Sequence, residues 1–340
     1  MDLIRGGSGA SAAQNPQTNP GWLDSIATLD TIDAKSGQEN FPVASRLLPA
    51  KWRRHLMAIY GFARLVDDVG DEAPGDRSAL LDAIDDDLDK VVSDGLPRLT
   101  VLRQLAPTVR SCHLPLDPFH RLVEANRRDQ TTTRYETYAE LLDYCTLSAN
   151  PVGHLVLGVF GVADSERVAR SDAVCTALQL VEHWQDVAED AGRGRIYLPA
   201  EDMRRFGCTA ADLIGTVPAG SAPHAPLRTA PAGSAPQAPL RTAPAGSAPQ
   251  APLRTETPPQ VRRLLAFEVS RAQALMTKGA PLVGTLSGAA KLAVAGFVAG
   301  GQAALDALGA ADFDVLPGPP RAKRRRIATG TMTLLLRSAQ

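Results

Sequence analysis

The sequence predicts an all-α fold on three observations. Apolar residues recur at i, i+3 and i+4 spacing in most segments, and Pro and Gly clusters separate these segments. No stretch alternates apolar and polar residues for long, as a half-buried strand would. The length of 340 residues suits one large or two ordinary domains. Because 36 basic residues nearly balance 37 acidic ones, overall charge gives no indication of nucleic-acid binding.

The predicted helices follow the apolar spacing along the chain. Pro151 removes a backbone donor, so we expect a break near Ser148. Residues 281–308 are rich in Ala, Gly, Leu and Val, but Lys291 divides the uncharged run, which favours a buried helix pair over a membrane span. The other predicted helices are 51–69, 79–92, 101–111, 118–128, 140–147, 154–162, 179–190, 200–206, 209–214 and 259–278.

The N-terminal residues and the cysteines indicate the cellular compartment of the protein. Residues 1–20 mix small and polar residues without an apolar segment, so we predict a disordered leader and no signal peptide. The cysteines are scattered and form no CxxC pair, which favours a reduced, cytoplasmic protein without disulfides or a zinc cluster. They are Cys112, Cys145, Cys175 and Cys208.

A repeat interrupts the second half of the chain. The segment from Pro218 to Ala230 recurs from Pro231 and again from Pro244. Its Pro, Ala, Gly and Ser content cannot bury a core, so we predict a disordered insertion, residues 216–257, within a domain spanning 21–320. Residues 321–340 form a basic tail, interpreted as a solvated end or, alternatively, as a segment attracted to anionic lipid.

A first stripe of polar side chains lies on the helix around residues 60–72, which is otherwise apolar almost all the way round. Such a helix should be buried. Buried carboxylates need a metal ion or a cationic partner. At roughly 100° per residue, the stripe contains Tyr60, Arg64, Asp67 and Asp71, with Asp68 at its edge.

A second stripe, far downstream, contains Gln179, Glu182, His183, Asp186 and Asp190. If the two stripes face each other they form a negative cleft, whose hard oxygen ligands suit Mg²⁺, with Mn²⁺ as an alternative. Mg²⁺ takes one or two carboxylates and completes its shell with water and phosphate oxygens, so we predict a diphosphate substrate. The alternative is a solvated acidic face, our interpretation of the run from Asp82 to Asp89, whose apolar residues form a separate stripe.

The two stripes and their surroundings resemble the squalene/phytoene synthase family. The motifs are Tyr60-xxx-Arg64-xx-Asp67-Asp68-xx-Asp71, the segment 179–190 and the segment 194–199, within a resemblance over about 36–321 outside the insertion. It implies a single isoprenoid synthase helical bundle with a central apolar cavity and a prenyl diphosphate substrate. It also implies metal ligands Asp67, Asp68, Asp71, Asp186 and Asp190, diphosphate contacts Tyr60 and Arg64, cavity residues Tyr144, Val152 and Gly153, and substrate-binding residues Gln179, Glu182, Gln185 and Arg195.

Two positions depart from the family pattern. Members that join two allylic diphosphates usually carry Asn and Arg where this chain has Glu182 and Gln185, and a lost arginine removes a bidentate phosphate contact. The segments 39–45, 148–153 and 185–190 look most like the family's bacterial hydroxysqualene synthase branch. That likeness implies a carbon–oxygen lyase that converts presqualene diphosphate and water to hydroxysqualene and diphosphate in hopanoid biosynthesis.

Several expectations follow from this resemblance. The alternatives are condensation of two farnesyl or geranylgeranyl diphosphates, or a non-catalytic relative that binds prenyl lipid. No GxGxxG follows a strand, so we predict no hydride donor. A cation needs a dry chamber, which residues 154–162 and 282–297 could line. Glu182, Gln185 and Asn150 are candidates for positioning water. We further expect no nucleic-acid partner, association with other hopanoid-pathway enzymes, and a cytoplasmic location or peripheral contact with the inner membrane face.

Overall fold

The computed structural model describes residues 48–93, 95–214 and 256–337, and these ranges contain helices but no strand. One isolated bridge pairs Arg134 with Ile196. The predicted all-α fold is therefore confirmed. The predicted leader and the 13-residue repeats from Pro218 onward lie outside the described residues.

The helices agree with the predicted segments to within a few residues in most cases. Short 3₁₀ turns occupy Asp89–Val91 and Ala280–Thr285. In chain order the helices are α1 (Ala50–Glu72), α2 (Arg77–Leu88), α3 (Thr100–Cys112), α4 (Asp117–Thr131), α5 (Tyr138–Ser148), α6 (Asn150–Val159), α7 (Ser165–Gln185), α8 (Val187–Gly192), α9 (Ala200–Phe206), α10 (Ala210–Leu213), α11 (Pro259–Gly279), α12 (Gly288–Ala310) and α13 (Arg324–Arg337).

Two hydrophobic clusters form the core. One contains residues of α1, α2, α3, α4 and α6. In it, Phe62 of α1 meets Phe119 of α4 edge to face, at 5.1 Å between ring centroids. The other joins α5, α7, α11 and α12. Gly279 lets α11 approach α7, since a Cβ there would lie only 2.7 Å from the Arg170 carbonyl oxygen. Since α6 and α12 contribute residues to both clusters, the helices carrying the two acidic stripes belong to one interior.

The predicted break near Ser148 is confirmed. Helix α5 ends at Ser148, and α6 begins at Asn150 with Pro151 in its first turn. The missing N–H of Pro151 costs no hydrogen bond at that position, because first-turn donors have no partner within the helix.

The predicted helix pair in residues 281–308 is wrong, because a 3₁₀ turn leads into the single 23-residue helix α12. Within the described ranges α12 is the one helix long and apolar enough to cross a membrane, judged by length and composition, and 67% of its apolar window is buried in the protein. Helix α13, which contains most of the predicted basic tail, packs on it. A Cβ at Gly330 would lie 3.2 Å from the Ala299 Cβ, so α13 and α12 approach closely.

One aspartate of the predicted surface run is buried. Asp87 is 1% exposed, and its carboxylate accepts hydrogen bonds from the backbone N–H groups of Arg98 (2.9 Å) and Leu99 (2.8 Å) and pairs with Lys90 at 2.8 Å. Burial alone would raise the pKa of Asp87, but these bonds hold it below its ordinary value. Asp87 therefore anchors the loop before α3, whereas Asp82, Asp86 and Asp89 are exposed as predicted.

Thr257, near the end of the predicted insertion, is anchored in the interior. Thr257 is 2% exposed, its N–H donates to Asp314 at 2.8 Å, and its hydroxyl accepts from the N–H of Leu316 at 3.0 Å. Glu256 and Thr257, assigned to the insertion from the sequence, thus belong to the described structure. Thr257 therefore lies in the interior with its polar groups satisfied.

A buried charged cluster joins α9 to α11. Glu268 is fully buried, and the Arg271 guanidinium lies 2.6 Å from the Asp202 carboxylate and 3.3 Å from that of Glu268. The same guanidinium lies over the rings of Tyr138 and Phe267, each 4.2 Å from the ring centroid. Burial, followed by the neighbouring Asp202, raises the pKa of Glu268 to about 8, so its carboxyl group is mainly neutral at pH 7.

Candidate active site

The first acidic cluster lies at the C-terminal end of α1. Asp68 is buried and pairs with Arg64 one turn earlier, at 2.8 Å. Asp67 accepts a hydrogen bond of 3.1 Å from the side-chain amide of Asn126 on α4. Asp71, in the last turn, extends away from the core and its side chain is 43% exposed. The helical spacing thus arranges the carboxylates in a row that runs from the buried Asp68 to the solvent-exposed Asp71.

Asp67 combines two properties that are seldom found together. Its side chain is accessible to solvent, yet burial raises its pKa to about 6, against the opposing effects of Asn126 and Arg64. The neighbouring carboxylates Asp71 and Asp68 raise it further. The neighbouring carboxylates Asp67, Asp68 and Asp71 together favour a bound cation.

The second acidic cluster spans the junction of α7 and α8. Helix α7 ends at Gln185, and Asp186, with φ −101° and ψ 16°, interrupts the regular helix. The Asp190 N–H still donates to the Asp186 carbonyl at 2.9 Å, so both residues stay on one side of the chain. Burial, then the neighbouring Asp190 and Glu189, raise the pKa of Asp186 to about 6.

Arg195 joins the two clusters. Gly194, at φ 84°, adopts a left-handed conformation that turns the chain after α8, and the Arg195 N–H donates to the Asp190 carbonyl at 2.9 Å. The guanidinium of Arg195 then lies 2.6 Å from the Asp71 carboxylate of α1. Next to it, the Ile196 N–H donates to the Thr133 carbonyl at 2.8 Å. The two acidic segments, distant in sequence, therefore border the same region.

Asp129 lies at the centre of this region, although the sequence analysis did not select it. The Tyr144 hydroxyl donates to its carboxylate at 2.6 Å. Burial raises the pKa of Asp129, whereas the hydrogen bond from Tyr144 and the nearby Arg195 lower it. The predicted helix ended at residue 128, one residue before Asp129. A usable signal was present, because Asn126, Asp129 and Gln130 follow i, i+3, i+4 spacing on α4.

Aromatic rings line the same region even though aromatic residues are only 5% of the chain. The His183 ring stacks on Tyr197 at 3.7 Å between centroids, and Tyr135 and Tyr144 lie within 5.9 Å of Tyr197. These rings adjoin a small recess that His183, Asp190, Arg195 and Tyr197 help to line. The buried Tyr135 hydroxyl has no hydrogen-bond partner within the described structure, so it can bond to a ligand or water.

A family model described as squalene/phytoene synthase matches residues 34–230 and 239–328. The chain belongs to the squalene/phytoene synthase family. A hydroxysqualene synthase of Zymomonas mobilis is 42% identical over 180 residues, which are 52% of this chain and 59% of that protein. A phytoene synthase of Mycobacterium tuberculosis is 34% identical over 175 residues, 51% of this chain and 57% of that protein. Both alignments cover less than two thirds of the relative's length.

Solved structures of squalene/phytoene synthases resemble the chain over most of its length. The crystal structure of squalene synthase HpnC from Alicyclobacillus acidocaldarius has a TM-score of 0.65 and 34% identity, and the match covers 87% of this chain and 98% of that one. A dehydrosqualene synthase in complex with ligand has a TM-score of 0.70 at 19% identity, covering 93% of this chain and 98% of that one. The second likeness supports the fold alone.

The remaining predicted site residues lie in two kinds of place. Tyr60 is half-buried on α1, and the side-chain amide of Gln179 lies 3.2 Å from the His183 ring, within the second cluster. Val152 is half-buried. Gly153 instead lies where α6 meets α7, because a Cβ there would be 2.3 Å from the Ser171 hydroxyl. Its role in the structure is close helix packing.

The donor set fits the divalent metal that this family uses with diphosphate substrates. Both clusters offer hard carboxylate oxygens, and burial, to which neighbouring carboxylates add, raises the pKa of Asp67 and of Asp186 to about 6. In the part of the chain that the structure describes, no three acidic, His or Cys side chains converge as a metal cage. Mg²⁺ needs no such cage, because water and phosphate oxygens complete its shell. Asp71, paired with Arg195, would have to exchange that partner to bind a metal.

Proposed function

We propose that the chain is a hydroxysqualene synthase that converts presqualene diphosphate and water to hydroxysqualene and diphosphate with Mg²⁺. The observation that carries the proposal is that residue 185 is a buried glutamine whose side chain is already hydrogen-bonded within the protein. Its side chain is 3% exposed and donates to the Pro320 carbonyl, so this position offers no guanidinium to a second diphosphate. The hydroxysqualene synthase at 42% identity supports the same assignment.

The proposed reaction breaks the carbon–oxygen bond to diphosphate and forms a carbon–oxygen bond to water, whose proton is released. Mg²⁺, when bound, neutralises the charge that develops on the leaving diphosphate. Asp67, Asp71, Asp186 and Asp190 would hold it, with Asp68 supporting them through Arg64. Arg64 and Tyr60 would orient the diphosphate, while apolar residues of α6 and α12 exclude bulk water from the cation.

The attacking water needs one positioned polar group. Of the three predicted candidates, Asn150 accepts a hydrogen bond from the Thr176 hydroxyl at 2.9 Å, and the amide of Gln185 is bonded to Pro320. Glu182 is half-buried one turn before Asp186 on α7 and so lies beside the second acidic cluster, which makes it the candidate we favour.

Substrate choice tests this proposal. Purified protein with Mg²⁺ is expected to consume presqualene diphosphate and release hydroxysqualene, and to leave farnesyl and geranylgeranyl diphosphate unchanged when either is supplied alone. Product identification by mass spectrometry checks this. Consumption of farnesyl or geranylgeranyl diphosphate alone would favour the alternative, condensation of two prenyl diphosphates. The 34% identity to a phytoene synthase is the observation behind that alternative. No turnover of any of the three would favour a non-catalytic prenyl-lipid binder.

Metal binding is expected to weaken as pH falls through 6. The pKa values of Asp67 and Asp186 are each raised to about 6, and Mg²⁺ binds the deprotonated carboxylates. Lowering the pH from 7 to 5 should therefore reduce Mg²⁺ affinity by about tenfold or more, whereas unshifted aspartates would keep their charge over that range. The Mg²⁺-induced increase in Tm, measured at pH 7, 6 and 5, checks this. An increase that is constant across these values would contradict the raised pKa values.

Peripheral membrane contact is a second part of the proposal. On α13, Met332 and Leu336 are exposed on the side away from Gly330, and Arg325 shares their face nearer the start of the helix. A face with exposed apolar residues and adjacent basic ones suits an anionic bilayer surface. We propose a cytoplasmic protein that reaches the inner membrane face in this way. Association with other hopanoid-pathway enzymes stays a prediction.

Vesicle binding tests the proposed membrane face. The protein is expected to sediment with vesicles of phosphatidylcholine and phosphatidylglycerol and less with phosphatidylcholine alone. Replacing Met332 and Leu336 together by Ser should abolish most of this binding. Ile214→Ser, at an exposed apolar residue outside α13, is the control and should not change it. Equal sedimentation of all three proteins would remove α13 from the proposal.

A further inference from the structure

The segment between α12 and α13 crosses the second acidic cluster as a strap, defined here as residues 315–323. Its start is fixed in the interior, because Val315 and Leu316 are each 1% exposed and the Leu316 N–H donates to the Thr257 hydroxyl at 3.0 Å. Three prolines within it restrict the backbone, and the packing of α13 on α12 holds its far end. The strap is therefore a stiff connection with both ends fixed.

Gln185 holds the middle of the strap. Its side-chain amide, buried immediately before Asp186, donates to the carbonyl of Pro320. That hydrogen bond fixes the peptide that leads into Arg321, so residue 321 lies beside the second acidic cluster. Arg321 is near enough to Asp186 for its positive charge to act on that carboxylate.

Arg321 differs from the other arginines near the site in having no carboxylate bound to it. Arg64 pairs with Asp68 at 2.8 Å, and Arg195 pairs with Asp71 at 2.6 Å. Arg321 is exposed and makes no ion pair with any residue in 48–93, 95–214 or 256–337. A guanidinium beside an acidic cluster, without a bound carboxylate, is available for bidentate hydrogen bonds to phosphate oxygens.

We propose that Arg321 binds the diphosphate of the substrate at the second acidic cluster, and that Gln185 is a positioning residue that places Arg321 by holding the Pro320 carbonyl. The inference rests on the proposed function in one respect, that the ligand is a diphosphate. In this proposal Gln185 does not contact the diphosphate itself. The positive charge that binds the diphosphate at this end of the site comes from Arg321 of the strap. One such cation suits an enzyme that takes a single diphosphate substrate.

Calorimetric titration of the full-length protein with inorganic diphosphate, at fixed Mg²⁺, tests the contact directly and does not depend on turnover. Arg321→Gln is expected to weaken diphosphate binding by about tenfold or more, as loss of a charge-assisted hydrogen bond predicts. Arg321→Lys should bind with intermediate affinity, because it keeps the charge but loses the bidentate geometry. Lys323→Gln, two residues further along the strap and also exposed, is the control and should stay within about twofold of wild type.

The role of Gln185 is tested by a double-mutant cycle. Gln185→Leu removes the hydrogen bond to Pro320 at similar volume and is expected to weaken diphosphate binding about as much as Arg321→Gln does. In the Arg321→Gln background the same change should have little further effect, because its influence passes through Arg321. Additive losses in the double variant would show that Gln185 does not act by positioning Arg321. Thermal unfolding of each variant shows whether the fold is kept.

The outcomes separate this inference from the proposed function. If Arg321→Gln binds diphosphate as tightly as wild type does, the inference is overturned, even if presqualene diphosphate is turned over. If Arg321→Gln loses affinity while farnesyl diphosphate proves to be the substrate, the proposed function fails and the contact stands. If Arg321→Gln and Lys323→Gln lose affinity equally, the loss comes from the reduced surface charge in general, and the inference is overturned.

Discussion

Asp67→Asn and Asp186→Asn are each expected to reduce turnover of presqualene diphosphate by about 10²–10³-fold or more while leaving the helical fold intact. Both changes keep the side-chain volume and replace a charged metal ligand with a neutral amide. The hydrogen bond that Asn126 donates to residue 67 can persist to the amide oxygen. Steady-state rates with saturating Mg²⁺, together with circular dichroism, measure the two parts of this prediction.

The same substitutions should stabilise the metal-free protein. A folded-state pKa of about 6, above the ordinary value of 3.8, means that each carboxylate favours folding when protonated and that this stability is lost as pH rises through 6. Removing the charge should therefore raise Tm at pH 8 without metal and abolish the increase that Mg²⁺ produces. Asp86→Asn, at an exposed aspartate of α2, is the control. Wild-type rates in Asp67→Asn and Asp186→Asn would show that neither residue holds the metal.

Arg271→Leu is expected to destabilise the fold by about 3 kcal/mol or more, the largest stability effect that the structure predicts. The guanidinium lies 2.6 Å from Asp202 and 3.3 Å from Glu268, whose side chains are 5% and 0% exposed. Without it, two buried carboxyl groups would face each other with no counter-charge. Urea unfolding at pH 7 measures the change. Arg170→Leu, which breaks the exposed pair with Glu166, is the control and should have little effect.

Glu268→Gln should have a small effect at pH 7, because a side chain with a pKa of about 8 is already mainly neutral there. Since this pKa is raised, the stability that Glu268 contributes is complete below about pH 4.5 and is lost as pH rises through 8. Wild type should thus lose stability between pH 7 and 9, and Glu268→Gln should lose less.

An unfolding free energy for Arg271→Leu within about 1 kcal/mol of wild type would contradict the described cluster.

Local periodicity predicted much of this molecule. Helical spacing was enough to place Asp67 and Asp71 on one polar stripe, because the face of a helix depends on sequence separation alone. The predicted helix 179–190, in contrast, is interrupted at Asp186. Local periodicity also gave helix ends such as Phe206 and the break after Ser148, where Pro and Gly act within one turn. These features need no knowledge of the tertiary fold.

Features that depend on tertiary contacts were missed. Asp87 was assigned to the surface because its binding partners, the N–H groups of Arg98 and Leu99, follow a turn that periodicity does not describe. Asp129 was overlooked because its importance comes from Tyr144 and from residues beyond α8. The link between Gln185 and Pro320 joins positions 135 residues apart, which no local pattern reveals.

The central claim is that two acidic clusters release a single diphosphate and that water captures the remaining cation. Incubation of the purified protein with presqualene diphosphate and Mg²⁺ in oxygen-18 water tests it most directly, with the product analysed by mass spectrometry. We predict hydroxysqualene carrying one oxygen-18 atom, and diphosphate in equal amount. A hydrocarbon product without oxygen-18, or hydroxysqualene whose oxygen comes from the diphosphate, would contradict it.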